Sequence, residues 1–493
     1  MGFFTLQCWL AIYALLSVGA TCKNATTVFS AAQWSAGTTV AYPSSADFAN
    51  ATERWSIYDS PTYSVAISPA TEEDVRQAVQ LSTSNRYPFL ATGGRHGYTT
   101  TLGYLQDGVA IDLSKLNTVN VDQSAGTLTI GPGVRFRDIY NPVFEAGYEL
   151  QIVTASCPGV IGATLGAGEG LWNGVHGLII DALISLRVVT ANGTIVEASK
   201  TSNAELFWGM RGAGANFGVV VSATYQLQEQ VNQGHIFSAD FVIPPERRQS
   251  YFQLLETYSH SNMSDKLSIS TFLGWNATTG VPQVTSNWAY LGPEEEGREA
   301  FQPVLDLDPI ISDIQAYTWE NLIQTVAGGS DAYLCLPDQI RDVYGVNTRN
   351  ISASTYEAVF QKASAFFTNL PDARGGMIRM AMLPNQATVA VPDDETAYPW
   401  RDTLAYVDIV VSWPDTNSTT AAMIDSFGRE VRDDFAATSG YPSLAVYINI
   451  AHGDESLEAI YGASKLPRLA ALKRTWDPQN AFAFEKALPT HYP

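Results

Sequence analysis

Between residues 63 and 227 the apolar positions fall in short runs, "VAIDL", "GTLTIGPGV", "LISLRVVTANGTIVEAS" and "FGVVVSATYQL", each cut off by Gly, Asn or Pro. Such runs between turn formers predict strands. One stretch breaks the pattern: in "TEEDVRQAVQLSTSN", Val75 and Val79 share a helical face behind a Thr71 to Asp74 capping box. "VVTANGTIV" predicts a hairpin turning at Asn192-Gly193. Beyond about residue 230 aromatics rise, and helical "PPERRQSYFQLLETYSHS" alternates with strand-like "KLSISTFLGW", "GGMIRMAMLP" and "YVDIVVSW". That alternation predicts a second domain with one antiparallel sheet and helices on a face. "DSFGREVRDDFAATSG" and "LPRLAALKRTWDP" predict late helices, the second stopped at Asp477-Pro478.

A chain of 493 residues exceeds one ordinary core and agrees with two domains. The opening apolar run, ending in Val18-Gly19-Ala20, reads as a removed secretion leader over residues 1–20. Glycan acceptor patterns at Asn24, Asn50, Asn192, Asn262, Asn276, Asn350 and Asn417 agree with secretion. Outside the leader, which contains Cys8, stand Cys22, Cys157 and Cys335, an odd number for an oxidising compartment, so one thiol needs another partner. A net charge of −21 opposes nucleic acid and anionic membranes as partners.

The chain carries no His/Glu metal box, no Cys pair at zinc spacing, no Gly-x-Ser-x-Gly elbow and no Gly-Lys-Ser/Thr phosphate loop. "GAGEG", Gly166 to Gly170, has the wrong spacing for a Rossmann loop and lacks a surrounding βαβ unit. The glycines of "CPGVIGATLGAGEGLWNGVHG" suit either of two uses: a backbone cradle for an anionic ligand, or tight turns between strands. "TGGRHG" sets a lone His96 on a yielding loop.

"PATEEDVRQAVQ", "TGGRHG", "CPGVIGATLGAGEG" with "GLIIDAL" and "VVTANG", and "LFWGMRGAGANFGVV" together resemble the vanillyl-alcohol-oxidase-type FAD-binding domain in its berberine-bridge-enzyme-like branch. "TWDPQNAFAF" is similar to that branch's closing motif, and "TAYPWR" to a stretch of its substrate domain. The resemblance implies an α+β, two-domain PCMH-type fold: an FAD-binding domain over 21–230, a substrate domain with an antiparallel sheet covered by helices over 231–440, and a returning segment over 441–493. It implies FAD bonded covalently through a ring nitrogen of His96, with Gly93, Gly94, Arg95 and Gly97 around it. It further implies a thioether from Cys157 to the flavin, which leaves Cys22 and Cys335 to pair. By the same resemblance the glycine-rich segment is expected to bring Gly162, Gly166, Gly168 and Gly170 to the cofactor, and "RGAGANFG" with the next residue to bring Gly214, Asn216, Phe217, Gly218 and Val219. His176 and Asp181 match the family but are expected to be structural.

Some members of the branch use a tyrosine base at the end of a Tyr-x-Asn-Tyr motif. Here "YINIA" keeps Tyr447 and Asn449 but ends in Ile450, which takes no proton. Tyr447 or Asp408 remains as a candidate base, unless the substrate needs none. The resemblance implies a secreted, monomeric oxidase that dehydrogenates a small organic substrate, passing hydride to FAD and electrons to dioxygen. A carbohydrate oxidase, a non-redox cyclase and a non-catalytic glycoprotein are the alternatives.

Overall fold

The computed structural model describes residues 24–260, 263–415 and 418–492. The expected leader, Cys8 and Cys22 lie outside these. Among the described residues no helix is long and apolar enough to cross a membrane.

The first half builds two sheets. In one, strands Thr39–Ala41, Tyr63–Ser68, Gly108–Asp112 and Phe89–Thr92 lie in that order, the last three parallel. Parallel strands need a crossover, and the helix Glu72–Asn85 supplies one between Tyr63–Ser68 and Phe89–Thr92, which flank Gly108–Asp112. Its capping box is present as the spacing predicts, and Val75, Ala78 and Val79 form its buried face. The second sheet is antiparallel, ordered Val119–Asp122, Thr127–Ile130, Val219–Gln226, Leu183–Val189, Ile195–Ser199. Its last two strands form the predicted hairpin, with Gly193 at φ 78°.

The second half forms a seven-stranded antiparallel sheet: Ile310–Thr318, His235–Ile243, Val281–Tyr290, Leu267–Asn276, Met377–Met382, Ala405–Ser412, Arg341–Thr348. Side chains alternate between its faces. Ile378, Met380, Val407 and Ile409 pack into one apolar core with Tyr251, Phe301, Val359 and Phe427 of the covering helices. Arg379, Asp408 and Val410 therefore point to the other face. The chain's end returns to the first half, since Tyr447, Ile460, Leu469 and Leu488 share a core with Leu128, Phe136 and Phe217.

The cysteines differ from expectation. Cys157 is bonded to Cys335, 178 positions away in sequence, so neither the Cys22–Cys335 pair nor the flavin thioether from Cys157 forms here. A sulfur committed to a disulfide has no thiolate with which to attack a ring.

Candidate functional site

Two neighbouring cavities share His96, Tyr98, Thr154 and Ala155 in their walls, one between the first half and the returning segment, the other between the first half and the seven-stranded sheet. The larger, about 370 Å³, runs along the ends of Phe89–Thr92 and the turn after it. Gly93 and Gly94 allow a very close approach there: a Cβ on Gly93 would lie 2.0 Å from the Pro132 carbonyl oxygen, and one on Gly94 2.1 Å from the Gly159 nitrogen. Arg95 takes the left-handed region at φ 59°, and its guanidinium reaches Asp112 Oδ1 at 2.7 Å, which anchors the turn.

This turn delivers His96. Its ring stacks on Trp55 with centroids 4.4 Å apart, and the Arg341 guanidinium sits 4.3 Å from the Trp55 ring centroid. The Trp55 indole donates to the Leu334 carbonyl, next to the disulfide. His96 Nε2 is buried without a hydrogen-bond partner. Burial first, then Arg341, Arg135 and Arg54, push the imidazole down to about 3, so it is neutral at physiological pH.

Of the residues expected at the cofactor, Gly93, Gly94, Arg95, His96, Gly97, Gly162, Gly166, Gly218 and Val219 line this cavity. At Gly162 an added Cβ would meet nothing within 4 Å, so this wall is open to a ligand. The other expected residues do not line it. Gly168 packs on Ile179 and Gly170 on the Ile152 carbonyl. Gly214 packs on Leu165, and Phe217 is fully buried in the core. Asn216 binds Tyr461 Oη at 2.9 Å and accepts from Leu488 N at 2.8 Å, tying the returning segment to the first half. His176 and Asp181 take structural partners: Glu149 at 2.5 Å and Arg401 at 2.8 Å.

These walls fit FAD, with the open backbone at Gly162 along the larger cavity and a neutral imidazole with an unpartnered nitrogen at the junction with the second cavity. That second cavity, about 140 Å³, has the seven-stranded sheet as its floor, including Phe272, Arg379, Asp408 and Val410. Arg379 and Asp408 are direct cross-strand partners. Arg379 donates through Nε to Asp408 Oδ2 at 2.6 Å, through Nη2 to Glu169 Oε1 at 3.2 Å, and through Nη1 to Thr154. Burial lowers Arg379's pKa, but the Asp408 and Glu169 carboxylates more than restore it, so it stays charged. Burial pushes Glu169 up, Arg379 opposes that, and Asp408 adds to it. Asp408 Oδ1 and Glu169 Oε2 are buried without hydrogen-bond partners.

Tyr447 and Asn449 also line the larger cavity. The Tyr447 hydroxyl accepts from Gly168 N at 3.0 Å and Asn449 Nδ2 at 2.6 Å. Burial, then Glu169, raise its pKa, so it keeps its proton. Asn449 also donates to the Ala163 carbonyl at 2.9 Å, a positioning role. Ile450 presses against Gly345, where a Cβ would lie 2.5 Å from Ile450 Cγ1.

Sequence reasoning missed Trp55, Tyr98, Glu169, Arg341 and Arg379. Arg379 had left a signal, being a lone charge amid the apolar "MIRMAM" strand. Glu169 likewise stood among the glycines of "GAGEG".

Residues 63–199 match the FAD binding domain family, and residues 446–489 match the family described as berberine and berberine like. The chain is 47% identical to the FAD-linked oxidoreductase srdI of Neurospora crassa, over 92% of this chain and 90% of the relative. To the FAD-linked oxidoreductase OXR1 of Pyricularia oryzae it is 48% identical, over 90% of this chain and 88% of the relative. Among solved structures, the glucooligosaccharide oxidase of Acremonium strictum superposes with a TM-score of 0.80 at 22% identity, covering 92% of this chain and 98% of that one. BBE-like 1 of Physcomitrella patens gives 0.80 at 21% identity, covering 93% and 98%. These structural likenesses share the α+β fold with its large antiparallel sheet.

Proposed function

Because the chain belongs to the FAD-linked oxidoreductases, we propose that it is a secreted oxidase holding FAD by a single covalent bond from His96 and dehydrogenating a small, largely apolar organic alcohol. The observation that carries this reading is the junction of the two cavities, where a neutral His96 with an unpartnered Nε2 stands beside a pocket containing the free Asp408 Oδ1.

FAD held along the larger cavity by His96 and the backbone around Gly93, Gly94 and Gly162 would supply the two-electron acceptor, with dioxygen as the final oxidant. The chain's own residues do the rest. Leu171, Phe272, Ile323, Val343 and Val410 receive an apolar substrate body and exclude water. Asp408 Oδ1 accepts the proton leaving the substrate hydroxyl. Arg379 supplies the counter-charge that a buried carboxylate requires, and Thr154 and Glu169 hold the guanidinium in place. The disulfide, which withdraws Cys157, supports a single bond through His96. Covalent attachment is supported by a structural neighbour, the Acremonium strictum glucooligosaccharide oxidase, whose FAD is 6-S-cysteinyl, 8α-N1-histidyl. Secretion is supported by the disulfide and by the exposure of Asn24, Asn50, Asn192 and Asn350.

Anaerobic mixing of the purified protein with benzyl alcohols, and separately with xylobiose and cellobiose, tests the reading. Bleaching of the yellow colour by aromatic alcohols is the expected result. Bleaching by the sugars alone would replace the reading with a carbohydrate oxidase, and product without bleaching would replace it with a cyclase.

A further inference from the structure

Outside both cavities, Asp342 of strand Arg341–Thr348, Asp425 of helix Ser418–Thr438 and His452 converge, with one donor atom from each lying within 4.8 Å of the others. His452 is only 5% exposed and stacks on Tyr344 with centroids 4.2 Å apart. Its Nδ1 lies 3.1 Å from Asp454 Oδ1. A carboxylate only accepts, so Nδ1 carries the hydrogen toward Asp454, and Nε2 is the ring nitrogen left for a further partner. That nitrogen has no hydrogen-bond partner, yet it faces Asp342 Oδ1 at 3.1 Å. A buried ring nitrogen without a hydrogen-bond partner and a carboxylate oxygen held this close present two donors to one cation.

The surroundings carry the same demand. The Tyr344 hydroxyl has one proton but two carboxylate oxygens in reach, Asp342 Oδ2 at 2.8 Å and Asp425 Oδ1 at 2.7 Å. Arg429 engages Asp425 and Asp454, while Arg432 engages Asp454 and Glu455. Three carboxylates thus share two guanidiniums, with Asp342 a fourth carboxylate beside them.

We propose that Asp342, Asp425 and His452 bind a divalent cation of the zinc or manganese class. The donor set is one imidazole and two carboxylates with no sulfur, which suits those ions. Metal–donor bonds of about 2.0–2.2 Å place tetrahedral donors roughly 3.3–3.6 Å apart; His452 Nε2 and Asp342 Oδ1 lie 3.1 Å apart, and all three donors lie within 4.8 Å of one another. Asp454 on Nδ1 is the outer carboxylate that orients a metal-binding histidine and raises its basicity. The site also reaches the cofactor wall. The His452 carbonyl accepts from Thr100 N at 2.8 Å, Thr100 Oγ1 at 3.0 Å and Thr99 Oγ1 at 3.1 Å, and Thr99 follows His96 and Tyr98 in the wall of the larger cavity. A cation on His452 braces that loop from outside.

The test uses the full flavin-loaded protein, dialysed against EDTA and titrated calorimetrically with ZnCl2, with MnCl2 in a parallel arm. We expect one equivalent to bind saturably, and Tm to rise with metal concentration. His452→Gln and Asp425→Asn should each weaken binding by about tenfold or more, with the visible flavin spectrum unchanged as the check on folding. Asp425 is only partly buried, so its variant decides the matter if His452→Gln fails to fold. Absence of saturable binding by either metal, or equal binding by the wild type and the Asp425 variant, overturns the proposal and leaves an imidazolium between aspartates.

Discussion

Arg379 Nε stands 2.6 Å from Asp408 Oδ2, and the two residues are direct partners across adjacent antiparallel strands. The pairing leaves Asp408 Oδ1 free toward the second cavity. Asp408→Asn keeps the shape and removes the base. It should slow anaerobic flavin reduction by a bleaching substrate by about a hundredfold or more while leaving the bound flavin's spectrum intact. An unchanged reduction rate in stopped flow would remove Asp408 from the role.

Arg379→Ala should act differently, because it strands two buried carboxylates. Losing one partner of a buried ion pair costs about 3–5 kcal/mol. The midpoint of urea unfolding should fall accordingly, even in flavin-free protein, and a midpoint within error of wild type would mean that the pair is not buried in solution.

Wild-type protein precipitated with acid should give a yellow pellet, and His96→Ala a colourless pellet with free FAD in the supernatant. Because the structure withdraws Cys157, no second bond should hold the flavin in the variant. A yellow His96→Ala pellet would return Cys157 to the cofactor.

Non-reducing peptide mapping should recover Cys157 joined to Cys335. Cys157→Ser should lower stability by about 2–5 kcal/mol, since the bond closes a loop spanning 178 positions. Acid-stable flavin should persist in that variant. Mapping that finds flavin mass on the Cys157 peptide would overturn the disulfide assignment.

In flavin-free protein, His96 titrates near 3 when folded, because burial and the nearby arginines oppose its charge, and near ~6.5 when unfolded. Between these values the unfolded chain binds a proton that the folded chain refuses. Its contribution is therefore full above about 6.5 and declines as pH falls toward 3. Urea midpoints at pH 7, 5.5 and 4.5 should fall less steeply for His96→Asn than for wild type, and parallel slopes would contradict a buried neutral imidazole.

Local rules made much of this molecule readable in advance. The Thr71–Asp74 box starts a helix, Asn192-Gly193 turns a hairpin, and Asp477-Pro478 stops the helix Leu466–Trp476, because each depends on neighbours within a few positions. The apolar run in "GGMIRMAMLP" predicted the strand Met377–Met382, and the resemblance around "TGGRHG" placed His96 on its loop. Neither told which residues would meet across the fold. Cys157 found Cys335 rather than a flavin, and Trp55 closed over His96. Arg379 gathered Asp408 from the next strand and Glu169 from the other half of the chain. A periodic pattern encodes a face and a local motif encodes a turn. The partner across a cavity is set by how sheets and loops distant in sequence pack together, so the cysteine pairing and the buried carboxylates around Arg379 were decided only in three dimensions.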